Sequence, residues 1–572
     1  MIPDITPTII PARPSKAELI RLLERYPLPL DPTTSKVMTF AYGTAGFRYT
    51  ANLLEGIMVR VGILAAYRSQ PFESVGVMVT ASHNDESYNG VKIADPTGGM
   101  MGAEGEALAV RLANAPTAEQ ILELLSFPQS KAVEDNDSVV HFARDTRRHS
   151  ASLCDLAIRA AQAMGATVHM HGVATTPQLH YCVMMDNPQY LPKLLLPPQP
   201  HIKGYYTQLA DAYLELLGTA TSTTTPLVVD CACGVGYEHV RRLNETIQQM
   251  DSSRRSIVAC NAPSEGPLNE NCGSEFVQKQ QQPPTWYGDC TEKTSYAASL
   301  DGDADRIVFF SQENKDDFIL LDGDKIAVLI CLFLKEQLSQ LQQAALELKV
   351  GVVQTAYANG ASTKYLQQLP IDVEMAKTGV KHVHKAAHDN FDIGVYFEAN
   401  GHGTVLFGET FYWFMEYCQE HLKDEVSSKV LTRLALLPKL INQAVGDALS
   451  DLLLVDAILT LQNHTLASWN SLYTDLPSKQ SKVAVPDRTM IVMNDNETAC
   501  VAPAALQRDL NSLMTKGGRC FVRPSGTENV VRIYAEAETS AQAEALAQRA
   551  GELINQHCFS AEDDSFPLSS KI

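Results

Sequence analysis

No apolar run in this sequence is longer than the nine residues Ile326 to Leu334, where a membrane-spanning helix needs about 20. No membrane partner is therefore expected. The first residues, Met1-Ile2-Pro3-Asp4, also lack the basic and apolar regions of a secretory leader. Cysteine is present but unorganised: twelve are scattered, with one C-x-C pair (Cys231, Cys233) and no C-x-x-C. This excludes a zinc ribbon or disulfide framework and suits a reducing compartment, so the expected location is cytoplasmic. Basic residues are in deficit, 46 Lys and Arg against 66 Asp and Glu, for a net charge of −20. Such a field repels polyanions, and nucleic acid is not expected as a partner. What is there, 45% apolar residues in a chain of 572, makes a folded protein with room for about four domains.

Strand-like runs alternate with helical patterns, the signature of α/β layers. Val75 to Val79, Pro226 to Val229, Ile307 to Phe310 and Lys349 to Val353 read as buried strands. Ser15 to Arg25, Thr207 to Leu217 and Asp324 to Gln337 read as helices, with Ser15 and Asp322 as caps. The proline cluster Leu196 to Pro200 marks a boundary near residue 205. From Gly518 to Ala537 a strand, turn, strand pattern precedes the helix Ser540 to Gln556, which makes the C-terminal part a separate α+β unit. The tail from Ser560 is expected to be loose.

Four polar loops carry chemistry. Thr80-Ala-Ser-His-Asn-Asp-Glu-Ser-Tyr-Asn-Gly-Val-Lys92 leaves a strand, and a serine there is exposed for nucleophilic work. His83 is not expected to serve it as a base, since neighbours on a strand face opposite ways. In Ser299-Leu-Asp-Gly-Asp-Ala-Asp-Arg306, Asp301, Asp303 and Asp305 at period two in an extended loop aim at one point and demand a divalent cation. An EF-hand is excluded, because Arg306 and Gln312 stand where it needs Gly and Glu. Three protein oxygens leave room for a phosphate oxygen, which suits Mg²⁺. In Phe397-Glu-Ala-Asn-Gly-His-Gly403, Glu398 and Asn400 share a face if extended and offer hydrogen bonds to sugar hydroxyls. Arg523-Pro-Ser-Gly-Thr-Glu-Asn529 with Arg532 is an anion cradle in an acidic chain.

These loops, in this order, resemble the phosphohexomutase family across roughly Tyr42 to Tyr534. Tyr42-Gly-Thr-Ala-Gly-Phe-Arg48, Leu268-Asn-Glu-Asn-Cys-Gly273, Lys377-Thr-Gly-Val-Lys-His382, Ile441 to Asp447 and Tyr473 to Pro477 are similar to its eukaryotic branch acting on phosphorylated N-acetylglucosamine. The resemblance implies an α/β, four-domain architecture around a central cleft: αβ mixed-sheet domains 1–205, 206–320 and 321–455, then a C-terminal α+β domain 456–572. It implies an intramolecular phosphotransferase (an isomerase) that interconverts N-acetylglucosamine 6-phosphate and 1-phosphate through a 1,6-bisphosphate, supplying UDP-N-acetylglucosamine synthesis. Ser82 is then the phosphoserine and a metal contact, with Arg48 and Lys92 beside it; Asp301, Asp303 and Asp305 hold Mg²⁺. Thr378, Gly379, Glu398, Ala399 and Asn400 meet the sugar phosphate, and Arg523, Pro524, Ser525, Gly526, Thr527 and Arg532 bind its distal phosphate. The partner is a small-molecule sugar phosphate, and the chain is expected to be a monomer or weak homo-oligomer. Asp85 stands where the family usually has proline, and Asp230-Cys-Ala-Cys-Gly234 replaces an Asp-Gly-Ala-Asn-Gly turn.

Three alternatives remain. A phosphoglucomutase or phosphomannomutase of the same family keeps the chemistry and changes the sugar. A haloacid-dehalogenase-type phosphatase is disfavoured by Asp305 at the Thr/Val position of D-x-D-x-T/V. A sugar-phosphate sensor without turnover is disfavoured because Ser82 and all three aspartates are present.

Overall fold

The computed structural model describes residues 6–559 except 32, 44–45, 70–72, 126–137, 221–224, 290–295, 313–316, 342–347, 515–516 and 527–528. The tail from Ser560 and the cradle residue Thr527 therefore lie outside the described residues. The buried run Val75–Val79 forms a strand over the residues its sequence indicates, near the middle of a six-stranded sheet. Its neighbours are Val139–Arg144, parallel, and Tyr88–Ala94, antiparallel; Thr167–Val173 and Thr8–Ile10 extend one side and Phe47–Thr50 the other. Alternation along that strand feeds two cores. Val75, Val77 and Val79 pack with the helices Glu55–Arg68 and Ser150–Ala163, and Met78 packs with the helix Thr176–Asp186.

A five-stranded sheet follows, ordered Phe318–Leu321, Ile307–Gln312, Ala297–Leu300, Leu227–Asp230, Ile257–Cys260, and then a four-stranded one, Asp372–Ala376, Val350–Thr355, Ile393–Phe397, Gly403–Phe407. Both mix parallel and antiparallel pairs. Ser478–Ala484, Val530–Glu536 and Arg519–Pro524 make an antiparallel sheet backed by Ser540–Cys558, with a core of its own. The expected architecture is present: three mixed αβ sheets and a C-terminal α+β unit.

The helix expectations also hold in kind. Ser15 Oγ accepts from Glu18 N at 3.2 Å to cap Lys16–Arg25, and Asp322 caps Gly323–Ser339 by accepting from Asp324 N at 3.1 Å. One apolar core runs from Met78 through the helices Ile202–Leu217, Glu425–Leu440 and Ala448–Leu461 to Trp469, joining the second and third sheets to one face of the first. Residue 205 lies within Ile202–Leu217, 455 within Ala448–Leu461, and the break after 320 detaches Leu321 from its strand. Among the described residues, no helix is long and apolar enough to cross a membrane.

Candidate active site

The serine loop is not the exposed strand exit that its sequence suggests. Ser82 is 2% exposed and sits in a left-handed conformation at φ 52°, held by Ser82 N donating to Thr80 Oγ1 at 2.9 Å. A non-glycine residue there costs roughly 1–2 kcal/mol, a strain typical of functional turns. The turn also overrides strand alternation. His83 Nδ1 comes to 3.4 Å from Ser82 Oγ, and burial, with Arg306 and Arg48 nearby, keeps this imidazole well below its ordinary pKa and neutral. Ser82 Oγ itself donates to Asp301 Oδ2 at 2.7 Å.

Asp301, Asp303 and Asp305 do converge, each offering an oxygen within 4.8 Å of the others. The loop is a tight turn, however, rather than an extended run. Asp301 Oδ1 accepts from the backbone N–H groups of Asp305 (3.1 Å) and Arg306 (3.2 Å), and Ala304 adopts φ 57°. Lys92 Nζ lies 3.1 Å from Asp303 Oδ2 and 3.2 Å from Asp305 Oδ2, and Thr176 Oγ1 donates to Asp303 Oδ2 at 2.6 Å. Burial and the neighbouring carboxylates push Asp301 well above the usual carboxylate range. Burial opposes the charge of Asp305 too, but Lys92, His402 and Arg306 outweigh it and hold that carboxyl well below the range. Lys92 is likewise opposed by burial and raised by Asp303 and Asp305, so it stays cationic. Asp303 Oδ1 is buried with no hydrogen-bond partner. An all-oxygen donor set with an orphaned buried acceptor fits a hard divalent cation such as Mg²⁺.

Glu398, Ala399 and Asn400 form the turn of the hairpin between Ile393–Phe397 and Gly403–Phe407, so they are not extended. Asn400 Oδ1 accepts from His402 N at 3.0 Å, which leaves Nδ2 as the donor for a ligand. Gly401, at φ 85°, is required here, because a Cβ would fall 1.9 Å from Ile307 O. Arg523 and Arg532 stand directly opposite each other in the antiparallel pair that frames the cradle. Like charges at that spacing destabilise a sheet unless an anion sits between them. Ser525 N closes the hairpin on Val530 O at 2.9 Å, and Gly526 is exposed at its tip beside Pro524. One edge of Arg523 is already engaged: Nε donates to Glu497 Oε2 at 2.6 Å, and the same oxygen accepts from Thr378 N at 3.1 Å.

Ser82, Arg48, Lys92, Asp305, Thr378, Gly379, Glu398, Asn400, Arg523 and Arg532 all line one cleft, with a cavity of about 340 Å³. Arg48 Nη1 reaches Asn84 Oδ1 at 2.8 Å, and its buried Nε has no partner. Asp85 is exposed and bonded to Ser87 N and Oγ at 2.9 and 2.6 Å, so its charge is satisfied within its own turn. The residues that sequence reasoning missed act at long range: Arg147, Thr176, Asn269 (Nδ2 to Ser82 O, 3.0 Å) and Glu497. Only Asn269 gave a signal, through the segment Leu268 to Gly273; the other three sit in no motif.

Three segments match families: residues 322–464 match phosphoacetylglucosamine mutase AMG1, domain III; 481–552 match the phosphoglucomutase/phosphomannomutase C-terminal domain; and 58–120 match alpha/beta/alpha domain I of the same group. Human phosphoacetylglucosamine mutase is 43% identical over 516 residues, 88% of this chain and 92% of that one. The chain belongs to the phosphoacetylglucosamine mutases. Two crystal structures of the Aspergillus fumigatus member of this family agree. The complex with GlcNAc-6P and magnesium superposes with a TM-score of 0.85 at 38% identity, covering 96% of this chain and 100% of that one. A serine-to-alanine form in complex with glucose 1,6-bisphosphate gives 0.83 at 37%, covering 95% and 99%. Phosphoacetylglucosamine mutases are phosphohexomutases, so the enzyme class expected from the four loops holds, as does the four-loop fold.

Proposed function

We propose that this chain interconverts N-acetylglucosamine 6-phosphate and N-acetylglucosamine 1-phosphate through a phosphorylated Ser82 and a 1,6-bisphosphate. The observation that carries the reading is the meeting of four distant loops in one cleft, with Ser82 Oγ 2.7 Å from the tri-aspartate turn and the Arg523–Arg532 pair lining the same cleft. The ligands of the A. fumigatus enzyme, GlcNAc-6P with magnesium and glucose 1,6-bisphosphate, support it.

In the first half-reaction the bond from phosphorus to Ser82 Oγ breaks as a bond to O1 of the 6-phosphosugar forms. The bisphosphate then turns over in the cleft, and Ser82 Oγ takes the phosphoryl group from O6. Asp301, Asp303 and Asp305, with Ser82, would hold Mg²⁺, which when bound offsets charge on the transferring group. Lys92, in contact with Asp303 and Asp305, and Arg306, 3.8 Å from Asp305, add fixed positive charge at the same point. Arg48 holds Asn84 and so the shape of the serine loop. Glu398 and Asn400 meet ring hydroxyls, Thr378 and Gly379 present backbone to the ligand, and Arg523, Ser525, Gly526, Thr527 and Arg532 bind the phosphate that is not reacting. That phosphate is on C6 in one half and on C1 in the other, so the cradle reads charge rather than ring.

Four working units remain the proposed division, with breaks moved to the ends of elements: before Ile202, after Leu321 and after Leu461. The net charge of −20 supports a small-molecule partner over nucleic acid, and the dispersed cysteines, none in a disulfide among the described residues, support a cytoplasmic location; a monomer or weak homo-oligomer remains the proposed state. The test is direct competition between N-acetylglucosamine 6-phosphate and glucose 6-phosphate with 1,6-bisphosphate present. A higher kcat/KM for the acetamido sugar is expected; equal rates, or preference for glucose or mannose phosphate, overturn the substrate assignment.

A further inference from the structure

Away from the four loops, three imidazoles and a carboxylate meet on one face of the first sheet. His141 lies in Val139–Arg144, in register beside His169 of Thr167–Val173, and His171, the extra residue where that pairing bulges, also turns toward His141. The rings of His141 and His169 meet edge to face at 5.0 Å, and those of His141 and His171 stack at 5.1 Å. The C-terminal end of the helix Thr176–Asp186 brings Asp186 Oδ2 to 2.9 Å from His141 Nε2. One donor atom each of His141, His169 and Asp186 lies within 4.8 Å of the other two.

We propose that His141, His169 and Asp186 form a second metal site, specific for a divalent transition ion of the zinc class. Two ring nitrogens and a carboxylate oxygen are the donors such ions prefer over Mg²⁺, with metal–nitrogen distances of about 2.0–2.1 Å and a fourth position for water. Tetrahedral ligand atoms sit about 3.3 Å apart at those bond lengths, so modest side-chain rotation closes the cluster. The supporting groups are in place. His141 Nδ1 is held at 2.8 Å by His171 Nε2, the kind of outer hydrogen bond that orients a ligating imidazole. The side chain of Asp186 is 26% exposed, which opens the cluster to solvent. The cluster is also unsaturated: His171 is 8% exposed and its Nδ1 is buried with no partner.

The helix that ends at Asp186 begins at Thr176, which donates to Asp303. Its 11 residues span about 16 Å, so the two metal sites lie at opposite ends of one rigid element. An ion at the far end pins that helix to the sheet without touching substrate.

The test titrates the intact protein, with Mg²⁺ at saturation, with Co²⁺ as the spectroscopic probe and Zn²⁺ in competition. One equivalent of Co²⁺ is expected to bind with the visible absorption of a four-coordinate nitrogen and oxygen site, free of a thiolate charge-transfer band, and to be displaced by Zn²⁺. His141→Gln and His169→Asn should each abolish that band while circular dichroism and Mg²⁺-dependent turnover persist, and Asp303→Asn should leave the band intact. Absence of stoichiometric binding, a thiolate band, loss of the band in Asp303→Asn, or retention of it in both folded histidine variants overturns the proposal. If either histidine variant fails to fold, His171→Asn serves instead, with weakened Co²⁺ affinity expected and unchanged affinity counting against the site.

Discussion

Arg147 Nη2 donates to the carbonyl oxygen of Ser82 at 3.0 Å. The same guanidinium serves the carbonyls of Asn84 (2.7 Å), Asp85 (2.6 Å) and Tyr88 (3.0 Å), and its Nε pairs with Asp145 at 3.0 Å. One buried side chain thus fixes the backbone of the whole serine loop. Arg147→Ala removes these bonds and strands the buried Asp145, at an expected cost of about 3–5 kcal/mol. Arg147→Lys keeps the charge but not the fork, so urea unfolding should show a smaller loss while kcat still falls. Unchanged kcat in a folded Lys variant refutes the positioning role.

Ser82→Ala and Ser82→Gly both remove the phosphoryl carrier, and turnover should vanish in each. Their stabilities should differ, because alanine keeps the strain of φ 52° and glycine relieves it. Denaturant unfolding is expected to find the Gly variant more stable than the Ala variant by about 1 kcal/mol. Phosphate mapped to another residue, or activity in either variant, counts against the assignment.

Glu497 ties the cradle to the third sheet's unit through Arg523 and Thr378. Glu497→Gln weakens a charge-assisted bond, and steady-state kinetics should show KM raised roughly tenfold with a smaller change in kcat, the equivalent of about 1.4 kcal/mol of binding. Arg523→Lys should raise KM further, since the forked contact to phosphate is lost. A pure kcat defect in Arg523→Lys places the residue elsewhere.

Chelation should stop turnover, and saturating Mg²⁺ should raise the unfolding temperature by relieving repulsion among Asp301, Asp303 and Asp305. At 100 times Kd the gain is about 2.7 kcal/mol. Asp303→Asn, which removes a ligand charge and weakens the contacts of Lys92 and Thr176, should abolish the Mg²⁺-dependent rise in a thermal scan. Turnover that survives chelation contradicts the metal assignment.

What the sequence showed well was chemistry and continuous structure. Val75–Val79 is an unbroken apolar run too short for a helix and rich in valine, which favours a strand; Ser15 caps locally; the three aspartates advertise a cation in any backbone shape. Loop shape was less legible. The turn at Asp301 is made by side chain to backbone bonds, as is the turn at Asn400, and period-two spacing carries no trace of them. Arg147 and Glu497 were invisible because their partners are 65 and 26 residues away in the chain, a separation that only the finished fold closes.

Gly302 packs so closely that a Cβ would lie 2.7 Å from Ser82 O, with Gly234 pressed against its other side. The serine turn, the aspartate turn and the Asp230–Gly234 turn therefore touch backbone to backbone. Any side chain at position 302 would force these turns apart, so a residue with no functional group sets how closely the carrier approaches the cation site. At Glu398, His402 and Val445, by contrast, it is side chains rather than backbone that shape the wall of the cleft.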